Sequence, residues 1–369
     1  MARQWRWLVV LIGVGALVAT PSLVALLPGR AAPIGASELL GRISRSADTP
    51  YSGYASASGG LVLPVTGQFG SVADLLGGPT RLRVWWRGAR DWRVDSIAAT
   101  GESGQHRTTT GLWTWDYEDN RATVDRSLLD PPLRLPVAAD LLPPALARRM
   151  LTAATSTEVT SLPPRRVSGR DTQGLRLRPA DPQTTIGHVD VWADAGSAIP
   201  LRVDVAGAGS AVPTISSEFT DFSTDVPEAS VTAFSPANLA WVSQRGPTDV
   251  VTLLSRFRGI APPQAPVAGL ALNDALRPDG AIGVYGRGVT ELVALPLPKG
   301  QGGDLRRQLA AAPGTADTPA GLQLSVGPLH LLLGTQDELG TAWLLVGTVT
   351  ADTMVAAAGE LRHPARAAP

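Results

Sequence analysis

The sequence predicts an α+β chain: an antiparallel sheet covered by helices, followed by a smaller α+β unit. Three observations predict it. Nine short segments rich in strand formers, at 51–63, 81–88, 91–99, 111–117, 121–125, 175–179, 188–193, 199–206 and 214–222, follow one another between Gly, Asp, Asn and Pro turns. That many successive strands imply an antiparallel sheet. The stretch 127–157, containing PPLRLPVAADLLPPALARRMLTAAT, interrupts them with proline-flanked helical turns of the kind that cover one sheet face. Beyond 234–247, which reads as loop, strands and helices alternate in a second unit. A chain of 369 residues is long enough for two cores.

The elements follow in order. ASELLGRISRSA at 36–47 places Leu39, Leu40 and Ile43 at helical spacing behind a possible cap at Ser37, predicting a short amphipathic helix. A glycine-rich insertion occupies 64–80. In the second unit, TDVVTLLSRF offers a helix capped by Thr248 or Asp249. Strands at 281–286 and 289–295, a helix near 304–311, strands at 322–333 and 341–349, and a helix at 351–361 follow. RHPARAAP reads as a disordered tail. The expected division is 1–30, 31–240, 241–361 and a tail at 362–369.

Residues 1–30 carry Arg3 and Arg6, then an uncharged run from Trp7 to Gly29, closed by Arg30. Some 20 apolar residues cross a bilayer as a helix, whereas a signal peptide has a shorter apolar region and small residues at its cleavage site. Pro21 and Ala31-Ala32 keep both readings open, and an uncleaved anchor is favoured. Either places the rest of the chain outside the cell membrane, with the basic end inside.

Composition excludes several functions. Lys+Arg and Asp+Glu both total 32, so no basic excess points to nucleic acid. With no cysteine there are no disulfides, thiolate metal sites or cysteine nucleophiles. His106, His188, His330 and His363 lie far apart without metal-ligand spacing. GVYGRG at 283–288 lacks the GK[ST] ending of a phosphate loop and is better explained by a hairpin or bulge. Asp91 with Asp95, and Asp190 with Asp194, read as solvated faces flanking strands rather than acid-base pairs. No catalytic residue, metal or cofactor is expected, and the chain is not expected to be an enzyme.

The tryptophans are the candidate site. In RLRVWWRGARDWRVDSI, alternation turns Leu82, Val84 and Trp86 one way and Arg83, Trp85 and Arg87 the other. Trp113, Trp115 and Tyr117 share a face, while Trp192 falls with Asp190 and Asp194 on the side patterning makes polar. Tryptophans thus occupy both faces, which a sheet with one wet face does not need. They are either ordinary core with arginine stems over Trp85 and Trp192, or the wall of an apolar cavity or partner groove. On the second reading Trp85, Trp86, Trp92, Trp113, Trp115 and Trp192 are the candidate ligand wall.

The strand-turn-strand VDVWADAGSAIPLRVDV at 189–205 resembles the corresponding hairpin of the MucB/RseB family of sigma-E regulatory proteins, and WLLVGTVTADTMVAAAGEL at 343–361 resembles the strand-then-helix end of that family's smaller C-terminal domain. The resemblance implies a LolA-like antiparallel half-barrel whose concave side takes acyl chains or lipoprotein under a helical lid. It also implies that two domains together bind the exported part of a membrane anti-sigma factor and shield it from proteolysis. The anchor, the insertion at 64–80 and the arginine-dominated charge depart from the Gram-negative members, which leaves the particular partner and lipid signal open. Two functions follow: a regulatory protein holding an anti-sigma factor or other single-span membrane protein and sensing lipid or acylated protein, or a LolA-like carrier of lipid or lipoprotein. The second domain favours regulation.

Overall fold

The computed structural model describes residues 33–61, 70–98, 101–126, 134–235, 241–244, 263–274, 282–297, 302–336 and 341–361. The first helix, α1 (Ala36–Arg45), buries Leu39 and Ile43, one turn apart, and runs into a 3-10 turn at Ser46–Asp48. Glu38 in its first turn and Arg42 and Arg45 in its last match the helix dipole.

Twelve strands form the first sheet. They are β1 (Tyr51–Gly59), β2 (Pro79–Gly88), β3 (Asp91–Ala98), β4 (Gly101–Thr108), β5 (Gly111–Asp116), β6 (Arg121–Asp125), β7 (Val159–Val167), β8 (Arg170–Leu177), β9 (Ile186–Asp194), β10 (Pro200–Gly207), β11 (Ile215–Ser223) and β12 (Trp241–Gln244). Their order is β12-β6-β5-β4-β3-β2-β1-β11-β10-β9-β8-β7. Two meanders, β2 to β6 and β7 to β11, are therefore joined side by side through β1, which pairs antiparallel with both β2 and β11. All pairings are antiparallel except that of β12, which lies parallel to β6 and carries the sheet past residue 240.

The interruption between β6 and β7 folds as a 3-10 turn, Ala138–Leu141, and a helix, α3 (Pro143–Leu151), preceded by a shorter helix α2 (Gly70–Gly77) between β1 and β2. Pro143 and Pro144 stand in the first turn of α3, where a missing N–H costs nothing. The helix packs its Leu146, Ala147 and Leu151 with Leu39 and Ile43 of α1 against Val189, Val191, Val203 and Val205. That is the covered, inner face of the sheet. A last short helix, α4 (Ala229–Thr232), crosses the opposite, outer face over β2, β3 and β4.

The second sheet has the order β13-β14-β18-β17-β16-β15, formed by β13 (Gly283–Arg287), β14 (Thr290–Leu297), β15 (Thr315–Thr318), β16 (Gly321–Val326), β17 (Leu329–Gly334) and β18 (Ala342–Gly347). It is wholly antiparallel. α5 (Gly302–Ala311) packs on β15 and β16, and α6 (Ala351–Leu361) covers β17 and β18 with Met354, Ala357 and Leu361.

The predicted class, an antiparallel sheet covered by helices plus a smaller α+β sheet, is the observed one. Differences have local causes. β4, GESGQHRT, lacks apolar alternation and is held by its neighbours β3 and β5. β7 contains Pro163 and Pro164 at a register shift, tolerated because it is an edge strand. The stretch 322–333 is two strands, not one, turned at Gly327, whose φ of +54° suits glycine. α2 lies inside the insertion at 64–80, and β12 inside the stretch read as loop. The segment 1–30, the TDVVTLLSRF helix and the tail lie outside the described residues. Among the described residues no helix is long and apolar enough to cross a membrane.

Candidate functional site

Strand register decides which tryptophans meet. One row runs Tyr51, Trp86, Trp92, Arg107, Leu112 across β1 to β5, and the next runs Ser52, Trp85, Arg93, His106, Trp113. Because neighbouring rows point to opposite faces, Trp86 and Trp92 are inner and Trp85 and Trp113 outer. On the inner face Trp86 and Trp92 stack at 5.7 Å with planes 7° apart, and Tyr51 stacks on Trp86 at 5.8 Å. Phe219 and Phe222 close the cluster from β11, while Leu141 and Leu142 cover it from the 3-10 turn. The Trp86 indole N–H donates to the Ala47 carbonyl, so its one polar atom is satisfied. The Arg148 guanidinium of α3 lies 5.9 Å from the Trp86 ring centre.

On the outer face Trp85 is half-buried between the guanidinium groups of Arg83 and Arg93, 4.9 and 5.0 Å from its ring centre. Both arginines donate to Asp95, whose carboxylate is fully buried, and Arg83 also reaches Glu102. Trp113 and Trp115 both meet the Phe234 ring, at 5.0 and 6.1 Å, and Trp115 stacks on Tyr117 at 3.9 Å. His106 joins them, with Nδ1 against the Thr232 carbonyl; burial lowers its basicity. The segment after β11 is thus strapped across the outer face.

Trp192 lies in the row Leu162, Gly174, Trp192, Arg202 across β7 to β10. Its indole N–H donates to the Pro163 carbonyl and Arg165 lies 4.1 Å over its ring, so a residue on the polar side is only 3% exposed. A side chain at Gly174 would run into Leu162 and Trp192, so glycine there lets the indole lie against the strand. The six candidate residues therefore do not line one wall: Trp86 stacks on Trp92, Trp113 and Trp115 meet at Phe234, Trp85 lies between two arginines, and Trp192, on the opposite side of its strand, joins the buried cluster of Trp86 and Trp92 only at its margin. Sequence reasoning missed Tyr51 and Arg148. A signal existed for the second: Arg148 is four residues after Pro144 and three before Leu151, on the buried stripe of α3.

The two sheets are joined at a seam. Thr185 N–H donates to the Thr348 carbonyl and Thr350 N–H to the Gln183 carbonyl, around a bridge between Thr184 and Val349. Ion pairs of opposite sense flank it, with Arg287 of β13 on Glu158 at 2.8 Å and Arg149 of α3 on Glu291 at 3.3 Å. Burial opposes ionisation of Glu158, but Arg287 and the N–H groups of Thr155 and Ala180 outweigh it and hold the carboxyl down at about 2. Burial pushes Glu291 up, against the pull of Arg149. A cleft of about 290 Å³ opens beside these pairs, lined by Arg149, Thr152, Leu272, Asn273, Arg287 and Glu291 among others.

No family model matches the sequence, and no curated protein is similar to it. Several solved structures are similar in fold. The crystal structure of MucB in complex with MucA(peri) matches with a TM-score of 0.48 at 15% identity, covering 88% of this chain and 97% of that one. The Pseudomonas aeruginosa MucA/MucB complex matches with a TM-score of 0.48 at 16% identity, over 88% of this chain and 96% of that one. The LolA superfamily protein NE2245 from Nitrosomonas europaea matches with a TM-score of 0.25 at 14% identity, over 55% of this chain and 98% of that one. MucB is the protein whose family the hairpin at 189–205 resembles.

Proposed function

We propose that the chain is a non-enzymatic, extracytoplasmic binding protein of the RseB kind. In this reading residues 1–30 tether it to the membrane or direct its export. Residues 31–240, extended at the sheet edge by β12, and residues 241–361 act as two domains that together hold the exported part of a single-span, anti-sigma-type membrane partner. The inner face of the first sheet senses a lipid or acylated protein.

The seam carries this reading. Gln183–Thr185 immediately precede the hairpin β9–β10, and Thr348–Thr350 link β18 to α6. The stretch 343–361 therefore contains one side of the join, and the stretch 189–205 follows the other side closely; the sheets are joined there by main-chain bonds that do not depend on side-chain identity. A carrier of an apolar ligand needs only the first sheet. A second sheet joined beside it by main-chain bonds, with a cleft next to the seam, suits an extended protein partner that touches both.

The test is to search the genes beside this one for a single-span, anti-sigma-type membrane protein, whose absence would count against the reading, then to co-express it full-length with the full chain and purify in mild detergent. A stoichiometric complex is expected. Recovery of the full chain without that protein, in repeated preparations where both are made, would overturn it.

A further inference from the structure

The strap that leaves β11 is fixed to the outer face of the first sheet at three points. Arg87 of β2 donates to the Pro227 carbonyl, and His106 of β4 holds the Thr232 carbonyl through Nδ1 at 3.2 Å. The Phe234 ring lies 4.8 Å from the His106 ring and 5.0 Å from that of Trp113. Within the strap, the Val231 N–H bond to Glu228 and the Ala233 N–H bond to Ala229 close single turns. The chain then reaches β12, an edge strand paired with β6. A segment attached at a few points over a sheet opens locally, without unfolding what lies beneath it.

His106 is 2% exposed, and its bond to Thr232 fixes the tautomer. A carbonyl only accepts, so Nδ1 carries the ring proton and Nε2 the lone pair. Nε2 is sealed from solvent with no hydrogen-bond partner among the described residues, and the indole nitrogen of Trp115, whose ring meets the same Phe234, is sealed likewise. A second proton on the imidazole turns Nε2 into a buried N–H without an acceptor and places a positive charge under the strap. Arg93 and Asp95 of β3 are the charged groups that act on the ring, and Asp95 already accepts from Arg83 and Arg93. The strap, ASVTAFS at 229–235, brings no charge to it, and neither does GLWTW at 111–115 of β5.

We infer that the strap is an acid-released clasp: protonation of His106 at Nε2 breaks the fit beneath Phe234 and frees residues 229–235 from the outer face, uncovering Trp113 and Trp115. The sign follows from which state holds the proton better. With the strap closed, burial and Arg93 make the ring harder to protonate, and the Thr232 carbonyl and Asp95 offset this only in part. Closure is therefore fully favoured above about pH 6.5, the ordinary histidine value, and weakens as the pH falls below it toward the closed-state value. The main-chain bonds of the seam between the two sheets lie elsewhere and stay made. The inference does not depend on the proposed function.

Because the chain has no cysteine, one introduced thiol reports the strap alone. Thr232 is 1% exposed and lends its carbonyl, not its side chain, to His106, so Thr232→Cys places a buried thiol under the closed strap. The full chain carrying it, purified in mild detergent, is labelled with a pyridyl disulfide between pH 7.5 and 5, each rate divided by that of a free thiol peptide at the same pH. The normalised rate should be low at pH 7.5 and rise about fivefold or more by pH 5, starting near pH 6.5, since an unmet buried N–H is worth at least that factor. The far-UV circular dichroism should not change. Adding His106→Asn, which keeps an N–H donor for the Thr232 carbonyl and cannot take up charge, should abolish the rise. A rate as high at pH 7.5 as that of the free peptide, or one that does not rise in acid, would overturn the clasp. The same rise in the His106→Asn background would overturn His106 as its trigger. A rise accompanied by loss of sheet signal would mean general acid unfolding and overturn local release. If His106→Asn itself opens the strap at every pH, the pH series of the chain with His106 intact still decides.

Discussion

The two faces of the first sheet carry the same residue types, arginine and tryptophan, and use them differently. Outside, Arg83 and Arg93 sandwich Trp85 and Arg202 lies 6.0 Å from the Trp192 ring centre, each donating to carboxylates, so the rings serve as platforms in a network of matched charge. Inside, Trp86 and Trp92 stack with Tyr51 under the helices and are each 8% exposed, and the guanidinium of Arg148, 5.9 Å from the Trp86 ring centre, forms no ion pair among the described residues. The difference teaches that what an aromatic ring does in a sheet is decided by the row it occupies and by what crosses over that row. Composition alone does not distinguish the two.

The largest effect should come from the inner row. Trp86→Ala removes a ring that contacts Tyr51, Trp92 and Arg148, and truncating a buried tryptophan costs about 3 to 5 kcal/mol. Urea unfolding followed by far-UV circular dichroism measures it, and a loss under 1 kcal/mol would mean that the inner stack is loosely packed and not core.

The comparison also explains how far the sequence could be read. Alternation correctly separated Trp85 from Trp86, and spacing placed α1 and α6 closely, because both signals are local. Which face the helices would cover was not legible, since it depends on where α3 lands after the turns at 136–144. Trp192 illustrates the same limit: its parity put it on the polar side, as observed, but its burial comes from Leu162, Pro163 and Arg165 on an edge strand that prolines hid from the pattern. Tyr51 and Arg148 meet only through tertiary packing, so no window of sequence joins them.

An intermediate effect should separate the faces by acid. Burial opposes ionisation of Asp194, but Arg170 and Ser197 outweigh it and hold its carboxyl below the ordinary range. A carboxylate so depressed adds stability that is complete above the unfolded-state pKa and lost as pH falls through the folded one. Asp194→Asn should therefore cost about 1 to 3 kcal/mol at neutral pH and less as the solution is acidified below about pH 4. Urea midpoints for parent and variant should converge in acid. If they stay parallel down to the acid limit, Asp194 does not hold its charge through Arg170 and the matched outer network is not what stabilises that hairpin.

The smallest effect is expected at Trp85. Its ring is half-exposed and its two guanidinium neighbours keep their other partners, since Arg83 and Arg93 remain bonded to Asp95 and Arg93 also to Tyr117. What Trp85→Ala removes is two cation–π contacts worth about 0.5 to 1 kcal/mol each at a wet site, together with some stem packing, so a total near 1 kcal/mol is expected in the same urea measurement. A cost equal to that of Trp86→Ala would make the outer face a second core, reversing the roles assigned to the two faces.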